Sequence, residues 1–77
     1  MKDLVEYIVR SIASKPDEVK ITESEEDGSG RVILTLEVSE EDKGRVIGKQ
    51  GRVIQSIRTL LRVTAVKQDV RVTLEII

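Results

Sequence analysis

The sequence predicts a two-layer α+β fold in which three helices cover one face of a three-stranded sheet, in the order α-β-β-α-α-β. Three observations lead to this prediction. In two segments the apolar residues recur at helical spacing, and between them Ser39 precedes three acidic residues, a typical helix start. In three other segments apolar and polar residues alternate, as along half-buried strands. Because each of these strands has one largely polar face, the helices should pack on the other face alone.

The first half of the chain predicts one helix and a β-hairpin. Residues 3–14 carry apolar side chains on one helical face, and Pro16 bars the continuation of this helix. Alternation over residues 19–22 predicts a short strand. The segment 25–30, Glu-Glu-Asp-Gly-Ser-Gly, predicts an acidic turn, and the alternation over residues 32–38 predicts a second strand antiparallel to the first.

The second half predicts two helices and a strand. The helix that begins after Ser39 should stop at Gly48, and a longer helix should run from residue 51 or 52 to 63. The apolar residues of this longer helix fall within about 120° of a helical wheel. The final strand is predicted over residues 70–76. Because a helical crossover joins the last two strands, they should be parallel neighbours.

Charge is unevenly distributed along the 77 residues, although the net charge is only -1. Residues 1–42 contain five basic and twelve acidic residues, a balance of -7. Residues 43–71 contain eight basic residues and one acidic residue, a balance of +7. Binding of an anionic partner depends on the local potential rather than on the net charge, so the basic half is a candidate binding surface.

The composition excludes several classes of function. There is no Cys and no His, which excludes disulfides, thiolate or imidazole metal sites, and thiol or imidazole catalysis. Glu40 and Glu41 have no neighbouring nucleophile or metal partner, so we expect no enzyme, cofactor or metal. Tyr7 is the only aromatic residue, so no aromatic platform can stack bases. No apolar run approaches the ~20 residues of a membrane span, and no signal-peptide pattern begins the chain. We therefore expect a cytoplasmic protein without membrane insertion.

The loop between the last two helices is the candidate functional site. Gly48 and Gly51 enclose Lys49 and Gln50, and Arg52 follows directly. Glycine at both ends permits positive φ angles and lets a ligand approach the backbone closely. The start of the following helix offers unpaired N–H groups and the positive end of the helix dipole. We therefore interpret residues 48–52 as a phosphate-binding site.

The residues around this loop combine charge with apolar surface. Arg45 lies one turn before the loop and adds positive charge, while Val46, Ile47 and Ile54 are apolar. This combination suits single-stranded nucleic acid, with phosphates on the loop and bases over aliphatic side chains.

Three other interpretations of this segment stay open. A nucleotide-binding P-loop has the pattern G-x-x-x-x-G-K-[ST], but here the spacing is one residue short, Gln50 replaces the Ser/Thr, and a helix precedes the loop instead of a strand. A DNA-binding helix-turn-helix is disfavoured by the strands on both sides and by the short first helix. The last interpretation is a helix connection without a ligand.

The segment Ile47-Gly48-Lys49-Gln50-Gly51, with a helix on each side, resembles the I-G-x-x-G signature of the KH domain. The predicted element order resembles the type II, bacterial arrangement of that domain. The resemblance extends over residues 1–77 as a single domain, with the core motif that contains the loop at about 31–77. It implies binding of single-stranded RNA, about four nucleotides per domain. The loop and its two helices would form one wall of the groove, and a strand with the hairpin loop would form the other.

The resemblance also assigns roles to individual residues. Phosphates would be held by Gly48, Lys49, Gln50 and Gly51, supplemented by Arg52, and the groove would be lined by Val46, Ile47 and Ile54. Acidic residues of the hairpin loop would repel a phosphate chain and weaken the second wall; these are Glu25, Glu26 and Asp27.

The resemblance implies partners and a biological role as well. A KH domain of this size resembles small bacterial RNA-binding proteins, which implies a homodimer or a heterodimer with a second KH protein. It also implies a role as an RNA chaperone or in post-transcriptional control linked to cell-envelope growth and cell shape. The alternative function is a protein-interaction or dimerisation subunit for which RNA binding is secondary.

Five residues outside the motif receive separate predictions. Gly44, inside the second helix, should pack closely against a neighbour. Tyr7 should pack at the edge of the apolar face of the first helix. Arg58 and Arg62 are interpreted as solvated surface, with a secondary phosphate contact as the alternative, and Lys67 as surface.

Overall fold

The computed structural model of the chain describes residues 1–26, 28 and 30–77. Within these residues the elements follow the predicted order: α1 (Lys2–Ile12), β1 (Lys20–Glu26), β2 (Arg31–Glu37), α2 (Glu40–Ile47), α3 (Arg52–Lys67) and β3 (Arg71–Ile76). A turn of 3-10 helix precedes β1 at Pro16–Glu18, and another joins α2 to α3 at Lys49–Gly51. The predicted fold class is therefore confirmed.

Two helices end at residues other than those predicted, and tertiary contacts explain both differences. α1 ends two residues early because the backbone N–H groups of Ser14 and Lys15 donate hydrogen bonds to Asp42. α3 ends four residues late, at Lys67, because Ala65 is buried and extends the packed face of the helix by another turn. Helical periodicity alone does not predict these tertiary contacts.

β1 extends further into the acidic segment than predicted. Glu25 lies opposite Val32 and Glu26 lies opposite Arg31 in the antiparallel ladder with β2. Glu26 and Arg31 also form an ion pair at 3.8 Å. The prediction that Glu25 and Glu26 belong to the hairpin loop is therefore wrong, because ladder hydrogen bonds and this ion pair hold them in the strand. Asp27, the third acidic residue of the predicted loop, lies outside the described residues.

The strands are arranged in the order β1-β2-β3. β1 and β2 are antiparallel, and β2 and β3 are parallel, as the helical crossover predicted. In the parallel ladder Leu34 lies opposite Leu74, and both leucines are buried beneath the helices. β3 is an edge strand of this sheet, so one row of its backbone groups faces away from β2.

One hydrophobic cluster joins the sheet to all three helices. Val46 in the last turn of α2 and Ile54 in the first turn of α3 both belong to it. The loop between these helices is therefore fixed on both sides by core packing. The cluster of buried residues consists of Val5, Val9, Val19, Leu34, Leu36, Val38, Val46, Ile54, Ile57, Leu61 and Leu74.

Asp42, in the first turn of α2, is buried and fully hydrogen-bonded. Its Oδ1 accepts from the backbone N–H of Ser14 at 2.9 Å and from the Ser14 hydroxyl at 2.8 Å. Its Oδ2 accepts from the backbone N–H of Lys15 at 3.0 Å and from the Ser39 hydroxyl at 2.9 Å. These donors, above all the Ser14 N–H, hold the pKa of the Asp42 carboxyl well below its usual range. The ionised Asp42 thus ties the end of α1 to the start of α2.

Candidate functional site

The loop of residues 48–51 turns the chain sharply between two helices. Gly48 follows the last residue of α2 as its C-cap, has φ 78° and ψ 174°, and donates its N–H to the carbonyl of Gly44 at 2.8 Å. A Cβ atom at Gly48 would lie 2.8 Å from Cβ and 2.9 Å from the backbone N of Val53. Position 48 therefore requires glycine for two reasons, its positive φ and the close approach of α3.

Two more residues of the loop have left-handed backbone conformations. Gln50 has φ 57° and Gly51 has φ 74°. Gly51 donates its N–H to the Gly48 carbonyl at 3.1 Å, which closes the 3-10 turn. Left-handed conformations are rare for residues other than glycine, and backbone strain of this kind concentrates at functional sites. The glycines thus interrupt the helices, as the sequence predicted, and Lys49 and Gln50 are exposed between them.

Among the described residues, no carboxylate forms an ion pair with the basic residues at the start of α3. Its first turn contains no acidic residue, and no side chain caps it. The nearest side-chain interaction is between Arg52 and Gln50, whose Oε1 accepts from Arg52 Nη2 at 3.2 Å. Both residues are exposed. The positive end of the helix dipole and the charges of Lys49 and Arg52 therefore add at this surface.

Ion pairs divide the basic residues into two groups. In the first part of the chain, Arg10 pairs with Glu6 at 3.0 Å and Lys15 with Glu41 at 3.5 Å. In the described structure, no basic residue between positions 45 and 71 forms an ion pair with a carboxylate. Lys43, at the start of the basic segment, pairs with Glu40 at 3.0 Å, whereas the basic residues that follow it pair with no carboxylate among the described residues.

Arg45 lies on the α1 side of α2. Its Nη1 donates to the carbonyl of Ile12, the last residue of α1, at 3.4 Å. This interaction places a cation at the negative end of the α1 dipole. Arg45 therefore contributes to the contact between the helices, in addition to its predicted charge near the loop.

The predicted apolar lining is only partly exposed. Val46 is 0% and Ile54 is 5% exposed, whereas Ile47 is 40% exposed. The prediction that Val46 and Ile54 line the groove is wrong, because both side chains point into the core. Periodicity explains the difference: consecutive helical residues are 100° apart, so Val46 and Ile47 cannot both face the same side. Of the three, only Ile47 presents substantial apolar surface next to the loop.

A cleft of about 220 Å³ lies between α3 and the edge strand β3. Arg58 is half-buried in it, and its Nη2 donates to the carbonyl of Leu74 at 3.2 Å. The interpretation of Arg58 as solvated surface is therefore wrong, and Arg62 is exposed but borders the same cleft. The sequence contained one part of this arrangement, two arginines one helical turn apart, but not the sheet edge that lies beside them. The cleft is lined by Arg58, Leu61, Arg62, Val72, Thr73 and Leu74.

Two other predictions about single residues are wrong. Tyr7 is largely exposed on α1 rather than packed against the core. A Cβ atom at Gly44 would meet no atom within 4 Å, so no neighbour packs closely against this glycine. Both residues lie in the helices that were predicted for them. No other element of the described structure packs over the helix face on which each residue lies.

The part of the chain that the structure describes contains neither a candidate metal site nor a candidate membrane-spanning helix. No group of three or more acidic residues there is placed to hold a metal ion. No helix among those residues is both long and apolar enough to cross a lipid bilayer. The glycine loop and the cleft between α3 and β3 are therefore the features on which a functional assignment rests.

Comparison of the chain with protein-family models identifies the family to which it belongs. The model of the family described as "KhpA/KhpB, KH domain" matches residues 2–76. The chain belongs to this family. The resemblance to type II KH domains is thereby confirmed.

Several bacterial members of the KhpA/KhpB family are similar to the chain over its length. The RNA-binding protein KhpA of Clostridium acetobutylicum is 49% identical over 77 residues, which is 100% of both chains. That of Clostridium perfringens is 47% identical with the same coverage. The RNA-binding protein KhpA of Chlamydia pneumoniae is 43% identical over 76 residues, 99% of this chain and 95% of the relative. No solved structure matches the chain at a significant level.

Proposed function

We propose that the chain is a non-catalytic module that binds single-stranded RNA through the loop of residues 48–51 and the start of α3. One observation carries the proposal: an exposed glycine loop opens into a helix whose first turn has no acidic residue, beside basic residues that pair with no carboxylate among the described residues. Family membership supports it, because relatives of equal length are named RNA-binding proteins.

The phosphate backbone is held on the loop in this proposal. The glycines let the strand approach the main chain, and the N–H groups at the start of α3 donate to phosphate oxygens. Lys49 and Arg52 supply full charges. Ile47, which is partly exposed, supplies apolar contact to a base. Gln50 is held by Arg52, which orients both side chains on the same outer surface.

The cleft between α3 and β3 forms the second wall of the proposed groove. Arg58 and Arg62 line it, so the wall is basic rather than acidic. About four nucleotides would extend from the loop along this wall, as in other KH domains. Glu25 and Glu26 are exposed in β1, on the opposite edge of the sheet from β3, which removes them from the groove.

The test replaces the two central loop residues by acids. In the double variant Lys49→Asp, Gln50→Asp, two carboxylates occupy the place of a phosphate, so we expect RNA affinity to fall at least about 100-fold with the fold retained. Fluorescence anisotropy with a labelled single-stranded oligoribonucleotide measures the affinity, and circular dichroism checks the fold.

The chain offers a matched control for this variant. Lys67 and Gln68 repeat the same residue pair at the exposed end of α3, away from the cleft. Lys67→Asp, Gln68→Asp therefore makes the same change in net charge. An equal loss of affinity in both variants would show a general electrostatic effect and contradict the assignment to the loop.

The salt dependence measures the number of phosphates held. If about three are engaged, the slope of log affinity against log salt concentration for a single strand should be about -2. The loop variant should have a shallower slope, and the control should keep it. An affinity for RNA that does not change with salt would contradict phosphate binding.

A protein-interaction subunit is the second candidate, because α3 has an exposed apolar face. Leu60, Val63 and Val66 are 50%, 54% and 74% exposed, and they recur at the spacing of one helical face. We infer that this face pairs with a second copy or with a KhpB-type KH protein. Sedimentation with and without RNA separates the candidates: a dimer whose RNA affinity is negligible at low salt favours the second. In either case, roles as an RNA chaperone or in post-transcriptional control and cell shape would follow from RNA binding and pairing together.

A further inference from the structure

The carbonyl of Leu74 lies at the free edge of the sheet. In β3, Arg71 donates its N–H to Gly30, and Ile77 donates its N–H to Leu36, so the odd-numbered residues face β2. Backbone N–H and C=O groups of one strand residue point to the same side, and successive residues alternate. The Leu74 carbonyl therefore points away from β2, at the open side of an edge strand.

Arg58 covers this carbonyl and is held by it. Its Nη2 donates to the Leu74 oxygen at 3.2 Å, and the side chain is half-buried between α3 and β3. No carboxylate among the described residues pairs with Arg58, and its other N–H groups bond to none of them. A guanidinium carries five N–H donors in one plane. Arg58 thus presents an anchored, flat set of unused donors to the cleft.

Among the residues that line the cleft, Arg62 carries the other flat group, and no hydrogen bond to a described residue anchors it. Tyr7, the aromatic residue of the chain, lies on α1 and does not line the cleft. An arginine plane can stack on an unpaired base, and its donor pair fits two adjacent acceptors. Guanine offers such a pair at N7 and O6, and cytosine at N3 and O2. On adenine the N6 amino group adjoins both N7 and N1, and on uracil the N3–H lies between O2 and O4, so neither base offers such a pair on its Watson–Crick or Hoogsteen edge.

We propose that Arg58 is a specificity-determining residue that selects a base with two adjacent acceptors, guanine or cytosine, at one position of the bound strand. The proposal rests on the proposed RNA-binding function and adds the base preference to it. Its physical basis is the bond to Leu74, which fixes the guanidinium before RNA arrives, so that little side-chain freedom is lost on binding.

Arg62 provides the comparison within the same cleft. It lies one helical turn further along α3, is exposed, and forms no hydrogen bond with a described residue. An arginine that no hydrogen bond anchors contributes charge to any nearby phosphate. Arg62 should therefore affect affinity for all sequences equally, without selecting a base.

The experiment compares four heptaribonucleotides of uridine in which the fourth base is G, C, A or U. Anisotropy titrations should show that the wild type binds the G or C oligonucleotide about tenfold more tightly than the A and U oligonucleotides. Arg58→Lys keeps the charge but loses the planar donor pair. We expect this variant to bind all four within about twofold of one another, near the wild-type affinity for U.

The controls distinguish base selection by Arg58 from RNA binding through the loop of residues 48–51. Arg62→Lys should keep the preference of the wild type. If Lys49→Asp, Gln50→Asp abolishes binding but the wild type does not discriminate among the four bases, the role of Arg58 is refuted and RNA binding is retained. A preference that survives Arg58→Lys also refutes the role. An affinity that the loop variant does not change refutes the proposed function instead.

Discussion

The two ends of α2 differ in how their polar groups are used. At the first end, Asp42 accepts four hydrogen bonds, from Ser14, Lys15 and Ser39, and is buried. At the other end, Lys49 and Gln50 are exposed in the loop of residues 48–51, which contains no carboxylate. Among the described residues, the loop side chains form one hydrogen bond, from Arg52 to Gln50. The first end holds the fold together, and the second leaves its donors and charges available to a ligand.

This difference predicts that substitutions at the two ends have separable effects. Buried polar groups stabilise a fold when every partner is present, and removing one partner leaves the others unsatisfied. Exposed and unpaired groups contribute little to stability but can bind an anion. Changes at the first end should therefore lower the Tm, and changes in the charge of the loop should lower RNA affinity.

Asp42→Asn should have the largest effect on stability. The amide nitrogen would replace one carboxylate oxygen and face two hydrogen-bond donors, so the link between α1 and α2 would be lost. We expect the Tm to fall by on the order of 20 °C, measured by circular dichroism. Glu41→Gln, at an exposed neighbour in the same turn, is the control and should change the Tm by only a few degrees. Equal effects of the two substitutions would contradict the structural role of Asp42.

The pH dependence of stability tests the same group. The pKa of Asp42 is lower in the folded state than in the unfolded state, so its ionised form stabilises the fold. This contribution is fully present above the ordinary Asp pKa of about 3.9 and is lost as the pH falls toward the folded-state pKa. Stability of the wild type should therefore fall in acid below about pH 4 more steeply than that of Asp42→Asn. Parallel curves for the two proteins would contradict the shift.

Gly48→Ala and Gly51→Ala should differ although both positions have positive φ. At Gly48 the new Cβ would lie 2.8 Å from Val53 Cβ, whereas at Gly51 it would meet no atom within 4 Å. At Gly51, which has a left-handed conformation, backbone strain destabilises an alanine by about 1 kcal/mol. At Gly48 the ψ of 174° gives a conformation that almost only glycine adopts, and strain and collision together destabilise by about 3 kcal/mol. Chemical denaturation should therefore show losses of about 3 and about 1 kcal/mol, respectively. A reversed order would show that α3 does not approach Gly48 as described.

Sequence patterns predicted the fold better than they predicted which side chains are exposed. Spacing and helix-start residues determined the order of elements, because these signals are local. Exposure depends on which layer covers a residue. Val46 and Ile54 were expected at the groove and lie in the core, while Tyr7 was expected to pack and is exposed. The helical period separates Val46 from Ile47, but no single-sequence pattern shows that the face of α1 that carries Tyr7 is left uncovered.

Sequence patterns also did not predict contacts between residues that lie far apart in the sequence. Asp42 was predicted only as a helix-start acid, yet it binds Ser14, which is 28 positions away. Arg58 was interpreted as surface because a helical wheel shows no sheet edge, and its bond to Leu74 depends on where β3 ends the sheet. The glycine loop was predicted because its signal is contiguous in the chain.

Gly44→Ala should have the smallest effect, and its sign should be opposite to that of the loop glycines. Gly44 lies inside α2 with ordinary helical geometry, and a Cβ atom there meets no atom within 4 Å. Because alanine loses less backbone freedom on folding, we expect a gain of about 0.5–1 kcal/mol and a rise in Tm of about 4 °C. Gly51→Ala is the matched control. A Cβ atom at Gly51 also meets no atom within 4 Å, but φ is 74° there, so we expect this substitution to lower the Tm. A lower Tm for Gly44→Ala would contradict the open surface at α2. A higher Tm with weaker RNA binding would show that the RNA backbone passes directly over this turn, one turn before the loop, and would extend the contact surface onto α2.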